Sequence, residues 1–163
     1  MKRVRVIGCG SSFGGDDCLG LLAAEMLRST LPPQVDVRMD AAGGVNVYAW
    51  CQDADVLMLI DAVCATVDLP PGTLRRIDYR AEPHVLKTMN MPGTHQMDIP
   101  GALALAAETY ILPAQVLIFA LAADCFEQGA GLSERLRRPL EDLVNAVRFE
   151  VTSLLAGVPT QPK

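Results

Sequence analysis

The sequence lacks several features that mark large classes of proteins. Its 163 residues include five cysteines, but no two of them form a C-x-x-C pair, which argues against a structural zinc site or a disulfide framework. We expect most of these cysteines to be small buried residues. Lysine and arginine form no cluster and the net charge is −5, so a nucleic acid is not expected as the partner.

Long apolar segments are also missing. The longest, residues 111–123, contains Pro113 and Gln115 and is too short to span a bilayer. The basic N-terminus resembles the start of a signal peptide, but Arg5 interrupts an apolar part that is already short. These patterns predict a cytoplasmic protein without a membrane partner. The ordinary globular composition predicts one domain over residues 1–157 and a tail over 158–163.

Apolar runs and alternating patterns predict strands at 4–7, 35–39, 56–60, 72–78 and 114–121. Helices are predicted at 18–31, 45–52 and 99–110, and a last helix is predicted to begin at an N-cap provided by Ser133. Residues 80–97 are polar and rich in proline and glycine, which predicts a loop. Strands that alternate with helices predict a three-layer α/β/α sandwich around a mostly parallel five-stranded sheet.

The most informative stretch is the glycine-rich turn after the first strand, which leads to Asp16 and Asp17. A turn of this kind between a strand and a helix usually cradles a phosphate. Two carboxylates at the start of the helix would repel a pyrophosphate and would themselves complement the helix dipole. We expect one of the two to cap the helix and the other to be presented to a cation.

Polar residues follow several of the predicted strands. Asp17 lies after the first, Asp40 after the second and Asp61 after the third, and His95 lies in the loop after the fourth. The carboxyl ends of parallel strands meet at one edge of the sheet, where function gathers in this fold class. Asp40 has two interpretations, as a turn residue or as a ribose-binding carboxylate. Two carboxylates and an imidazole suit a divalent metal such as Zn²⁺ or Ni²⁺.

Several short motifs together resemble the hydrogenase maturation proteases: Gly8-Cys9-Gly10, Asp16-Asp17 with Gly20, Asp40 before Gly43, Leu59-Ile60-Asp61-Ala62, His95-Gln96 and the approach to the last helix at 129–133. The resemblance covers nearly the whole chain. It implies a phosphorylase/hydrolase-like fold and an aspartic-type endopeptidase. Such an enzyme removes the C-terminal extension of a nickel–iron hydrogenase large-subunit precursor after nickel insertion.

The resemblance also assigns residues. Asp17, Asp61 and His95 match the family's metal-contacting positions and are the expected catalytic residues, acting on nickel that the substrate holds. No cofactor of the protein's own is expected. A supporting set is predicted as well: Asp16, Asp40, Gly8, Gly10 and Gly43. The chain departs from the family at Ser11, where asparagine is usual, and in the segment after His95.

Two other functions are considered beside the peptidase. Gly8 and Gly10 after a strand, with Asp40 later, also fit a nucleotide-binding Rossmann enzyme, although position 13 is Phe13 and the third glycine is Gly14. A non-catalytic chaperone that binds a metallated partner would use the same three site residues as the peptidase. We rank the peptidase first, the chaperone second and the nucleotide enzyme third.

Overall fold

Five strands form one sheet, and its order explains how the protein is built. The computed structural model describes residues 2–92 and 98–158. The strands are β1 Val4–Cys9, β2 Asp36–Asp40, β3 Val56–Cys64, β4 Leu74–Asp78 and β5 Gln115–Ala123. The helices are α1 Leu19–Arg28, α2 Val47–Cys51, α3 Pro83–Lys87, α4 Ile99–Glu108 and α5 Arg137–Leu155. Short 3₁₀ turns cover Gly15–Cys18, Gly43–Asn46 and Glu134–Leu136.

The sheet has the strand order β2-β1-β3-β5-β4. Strands β2, β1, β3 and β5 are parallel, whereas β4 pairs with β5 in the antiparallel direction. The predicted mostly parallel five-stranded sheet is therefore confirmed, and β2 and β4 form its two edges. The central strand β3 and its neighbour β5 are buried along almost their whole length, as expected of strands that helices cover on both faces.

Each face of the sheet carries its own hydrophobic core. Met58 and Ile60 of β3 belong to the core shared with α1 and α5. Leu57 and Leu59, which alternate with them, belong to the opposite core with α2, α3 and α4. The helices thus lie in two layers around the sheet, which confirms the predicted sandwich. The apolar side chains on one face of α5, including Leu143 and Val147, are buried in the first core.

The structure corrects several local predictions. The third strand does not end at residue 60 but runs through Asp61 to Cys64, because its pairing with β5 continues that far. The predicted loop at 80–97 contains α3. Neither Asp16 nor Asp17 caps a helix, since no side-chain cap hydrogen bond forms at either the 3₁₀ turn or α1. Ser133 occupies the predicted N-cap position, at the 3₁₀ turn that leads into α5, but its side chain makes no capping bond.

None of the helices in the described part of the chain combines the length and the apolar character that crossing a membrane requires. Cys9, Cys18 and Cys51 are buried as expected, whereas Cys64 and Cys125 are only half-buried. The predicted tail lies outside the described residues except for Val158.

One ion pair joins the edge strand β4 to the last helix, α5. The Arg76 guanidinium donates two hydrogen bonds to the Glu150 carboxylate, at 2.8 and 2.9 Å. The Glu150 side chain is 6% exposed and that of Arg76 24%. A fork-to-fork contact of this kind is strong, but losing one partner is costly because the other charge stays partly buried.

We expect Glu150→Ala to lower the free energy of unfolding by about 2 to 3 kcal/mol, because it leaves the Arg76 guanidinium without its carboxylate. Urea unfolding followed by circular dichroism measures the change. Glu141→Ala, at an exposed position on the same helix, is the matched control and should change the free energy of unfolding by less than about 0.5 kcal/mol. Equal effects of the two substitutions would contradict the assigned role of the ion pair.

Candidate active site

The turn between β1 and α1 is shaped by glycines that make room for Asp17. Gly10 has a φ of 139°, and a Cβ atom there would lie 1.9 Å from the backbone oxygen of Asp17. A Cβ atom on Gly14 would lie 3.3 Å from Oδ2 of the same aspartate. In a nucleotide-binding protein, a phosphate would lie against a turn of this kind. In this chain the turn lies against the Asp17 carboxylate instead. Side chains larger than hydrogen at either glycine would displace Asp17.

The helix after this turn packs directly on the strands beside it. A Cβ atom on Gly8 would lie 1.8 Å from the Gly20 carbonyl oxygen. One on Gly20 would lie 2.1 Å from the carbonyl oxygen of Cys9 and 2.5 Å from that of Ile60. The supporting role predicted for Gly8 therefore has a steric reason, because the backbones of α1, β1 and β3 touch at this point.

Asp16 is completely buried, and its carboxylate binds a distant part of the chain. Oδ1 accepts a hydrogen bond from the backbone N–H of Ser133 at 2.7 Å, and Oδ2 accepts one from that of Cys125 at 3.2 Å. The Asp16 N–H in turn donates to the Cys125 carbonyl oxygen at 2.7 Å. Asp16 thus joins the β1–α1 turn to the β5–α5 loop and fixes the position of its neighbour Asp17.

Asp61 lies near the end of β3 on the face of α2 and α4, between Leu59 and Val63 of that core. It is 7% exposed, and its Oδ1 accepts a hydrogen bond from the N–H of Ala62 at 2.8 Å. Burial, followed by the negative charge of Asp17, raises the pKa of Asp61 well above its ordinary value. The two predicted carboxylates are therefore close enough to repel each other.

Burial and the same negative charges raise the pKa of two cysteine thiols near the site. Burial raises the pKa of the Cys9 thiol, and the charges of Asp61, Asp40 and Asp17 raise it further. Burial and the charge of Asp17 also raise the pKa of the Cys64 thiol. The edge of the sheet between β2, β1 and β3 is thus a region of negative potential, which favours a bound cation.

Asp40 is engaged by its own turn. Its carboxylate accepts hydrogen bonds from the Ala42 N–H at 2.8 Å, the Asn46 amide at 2.7 Å and the Trp50 indole N–H at 2.8 Å. This matches the turn-residue interpretation. Gly43, with a φ of 67°, begins the 3₁₀ turn that brings these donors around Asp40. Asn46 and Trp50 were not among the predicted site residues, although an Asp followed by a glycine turn is a recognisable turn pattern.

His95 lies outside the described residues, so its distance from the two aspartates stays a prediction. The flanking residues are described. The Asn90 carbonyl oxygen accepts a hydrogen bond from the N–H of Cys64 at the end of β3, and Ile99 is buried in the core on the Asp61 face. The other histidine, His84, is exposed on α3. Over residues 2–92 and 98–158, no three His, Cys, Asp or Glu side chains are grouped so as to hold a metal ion.

Comparison with known proteins decides the family. The sequence profile described as hydrogenase maturation protease matches residues 22–149. The chain belongs to the hydrogenase maturation protease family. The hydrogenase expression/formation protein HoxM of Cupriavidus necator is 31% identical to it over 144 residues, which cover 86% of this chain and 70% of HoxM.

Other members show how far the likeness extends. A Methanocaldococcus jannaschii protein that carries the family's name is 30% identical over 87 residues, 53% of this chain. The alignment spans only 56% of that relative's length. The hydrogenase maturating endopeptidase HybD from E. coli superposes with a TM-score of 0.76 over 93% of each chain. Because the two sequences are only 21% identical, the similarity to HybD establishes a shared fold.

We expect Asp16→Ala to lower the free energy of unfolding by about 3 kcal/mol, because two backbone N–H groups at Cys125 and Ser133 lose a charged acceptor. Thermal and urea unfolding measure the loss. Asp142→Ala, at an exposed position on α5, should change the free energy of unfolding by less than about 0.5 kcal/mol. A loss no larger than that of the control would contradict the bridging role of Asp16.

Asp61→Asn should raise the free energy of unfolding at pH 8 and have little effect below pH 3.8, the ordinary pKa of the carboxyl. The native protein holds the Asp61 proton more tightly than the unfolded chain does. The contribution of Asp61 to the free energy of unfolding of the wild type therefore falls as the pH rises from 3.8 toward the raised pKa of the native state. Urea unfolding of chelator-treated protein at several pH values tests this, and a gain that does not depend on pH would contradict it.

Proposed function

We propose that the chain is an endopeptidase that removes the C-terminal extension of a nickel–iron hydrogenase large-subunit precursor after nickel has been inserted. The observation that carries this proposal is the pair of buried carboxylates, Asp17 and Asp61, brought together at the carboxyl edge of the sheet. Membership in the hydrogenase maturation protease family supports the substrate class.

The chemistry of the pair favours a cation supplied by the substrate. Two neighbouring carboxylates repel each other, and a divalent cation between them replaces this repulsion with attraction. In the proposal, His95 completes a set of two oxygen donors and one nitrogen donor, which suits nickel. Three protein ligands leave positions open for the groups that already hold the metal in the precursor. Nickel is thus part of the substrate, and no cofactor of the protein's own is required.

Docking of the metal would place the scissile peptide beside the same carboxylates. In the hydrolysis, a water molecule adds to the peptide carbonyl carbon, the C–N bond breaks, and the leaving amine takes up a proton. A carboxylate beside the water accepts its proton in the first step. Asp16 has a different task, because both of its oxygens bind backbone N–H groups and its role is to position Asp17.

Processing by the purified full chain tests the proposal. We expect cleavage of the nickel-loaded large-subunit precursor and at least a hundredfold slower cleavage of the nickel-free precursor. Asp17→Asn and His95→Ala should each lower the cleavage rate about a hundredfold or more, because each removes a metal contact. Mass spectrometry of the products measures the rate and locates the cut.

Asp142→Asn is the matched control, since it removes an exposed carboxylate on α5, and it should leave the rate unchanged. Undiminished cleavage by Asp17→Asn or His95→Ala would overturn the assigned roles. A stable complex with intact nickel-loaded precursor would favour the chaperone over the peptidase.

A further inference from the structure

Arg75 lies in the same row of the sheet as Asp61. Asp61 of β3 pairs with Ala120 of β5, and Ala120 pairs with Arg75 of β4. Paired residues share a face of the sheet, and neighbouring strands are about 4.8 Å apart, so the Cα atoms of Asp61 and Arg75 are about 10 Å apart. The residue between them, Ala120, is fully buried in the core on this face, whereas Arg75 at the end of the row is exposed.

A groove opens on this face beside the end of β3. It has a volume of about 420 Å³ and is bounded by Cys64, by the loop after β3 and by α3. Its lining mixes apolar and polar side chains, among them Leu69, Thr88 and Met89. Cys64, which lines the groove, follows Asp61 by three residues on β3, and burial and the charge of Asp17 raise the pKa of its thiol.

Two charged side chains line the groove, Arg75 and Asp68. Among the described residues, Arg75 forms no ion pair, whereas its neighbour Arg76 points to the opposite face and pairs with Glu150. Arg75 is also exposed. A guanidinium without a counter-ion at the wall of a groove is suited to bind a carboxylate in a bidentate manner.

We propose that this groove binds an extended segment of the substrate next to the scissile bond, and that Arg75 binds a carboxylate of that segment. The proposal rests on the proposed peptidase function and names a specificity-determining residue for it. An extended chain advances about 3.3 Å per residue, so a span of about 10 Å plus the reach of an arginine places the carboxylate about three to five residues from the cut. It belongs either to an acidic side chain or to the chain terminus.

Kinetics of precursor processing provide the first test. Arg75→Gln should raise KM about tenfold and change kcat less than twofold, because Arg75 binds substrate away from the reacting atoms. Arg75→Lys should recover part of the loss. Arg138→Gln, which removes an exposed arginine on the other side of the sheet, should behave as wild type. An Arg75→Gln enzyme indistinguishable from Arg138→Gln would overturn the proposal while leaving the peptidase function intact.

Peptide binding provides a test that does not need cleavage. The probe is a synthetic peptide with the sequence around the cut of the same organism's large-subunit precursor, titrated into ¹⁵N-labelled full chain. We expect shifts at Thr66, Thr88 and Asn90 and about tenfold weaker binding by Arg75→Gln. Two modified peptides identify the carboxylate: one has an amidated terminus, and the other has amides in place of its acidic side chains. The modification that removes the carboxylate bound by Arg75 should make wild type and Arg75→Gln bind the peptide equally, and the other modification should not.

Chemical-shift changes confined to residues outside the groove would overturn the assignment of Arg75. So would a difference in affinity between wild type and Arg75→Gln that remains with both modified peptides. A wild-type chain that binds the peptide in the groove but leaves the nickel-loaded precursor intact would overturn the peptidase function and leave the groove as a binding site.

Discussion

The hydrogen bonds of the buried Asp16 carboxylate are the contact on which the geometry of the site depends. They connect two segments more than one hundred residues apart, the turn after β1 and the loop after β5. Gly15 adds to this constraint, since a Cβ atom there would lie 2.5 Å from the Cys125 carbonyl oxygen. Because the turn is held on one side by this loop and on the other by the contact of Gly8 with Gly20, the adjacent Asp17 has little freedom to move.

This rigidity keeps two buried carboxyl groups together, and they repel each other when both are ionised. Burial and, after it, the charge of Asp17 raise the pKa of Asp61, and the hydrogen bond from the Ala62 N–H lowers it. A protein selected for stability alone would have a neutral or oppositely charged side chain at one of these positions. Departures from the most stable arrangement are typical of functional sites. The pair of buried carboxyl groups therefore supports the proposal that the site receives a cation.

The sequence predicted the central architecture because local patterns determine it. Apolar runs identified β3 and β5, and the parallel arrangement brought Asp17 and Asp61 to one edge. Predictions failed where distant contacts decide the outcome. Asp16 follows the pattern of a helix cap, yet its acceptors are used by Cys125 and Ser133. The short α3 is held by burial of Leu86 in the core, which no local pattern in a polar, proline-rich segment reveals.

The direction of β4 could not be predicted either, and it has a consequence for the chemistry of the edge. Because β4 is antiparallel to β5, its first residue, Leu74, pairs with Leu121, and its last, Asp78, pairs with Leu117. The start of β4 therefore lies at the carboxyl edge of the parallel strands. A parallel β4 would have placed Asp78 toward that edge and Arg75 toward the other. The reversal of one edge strand thus brings a positive charge to the side of the sheet that otherwise carries the carboxylates.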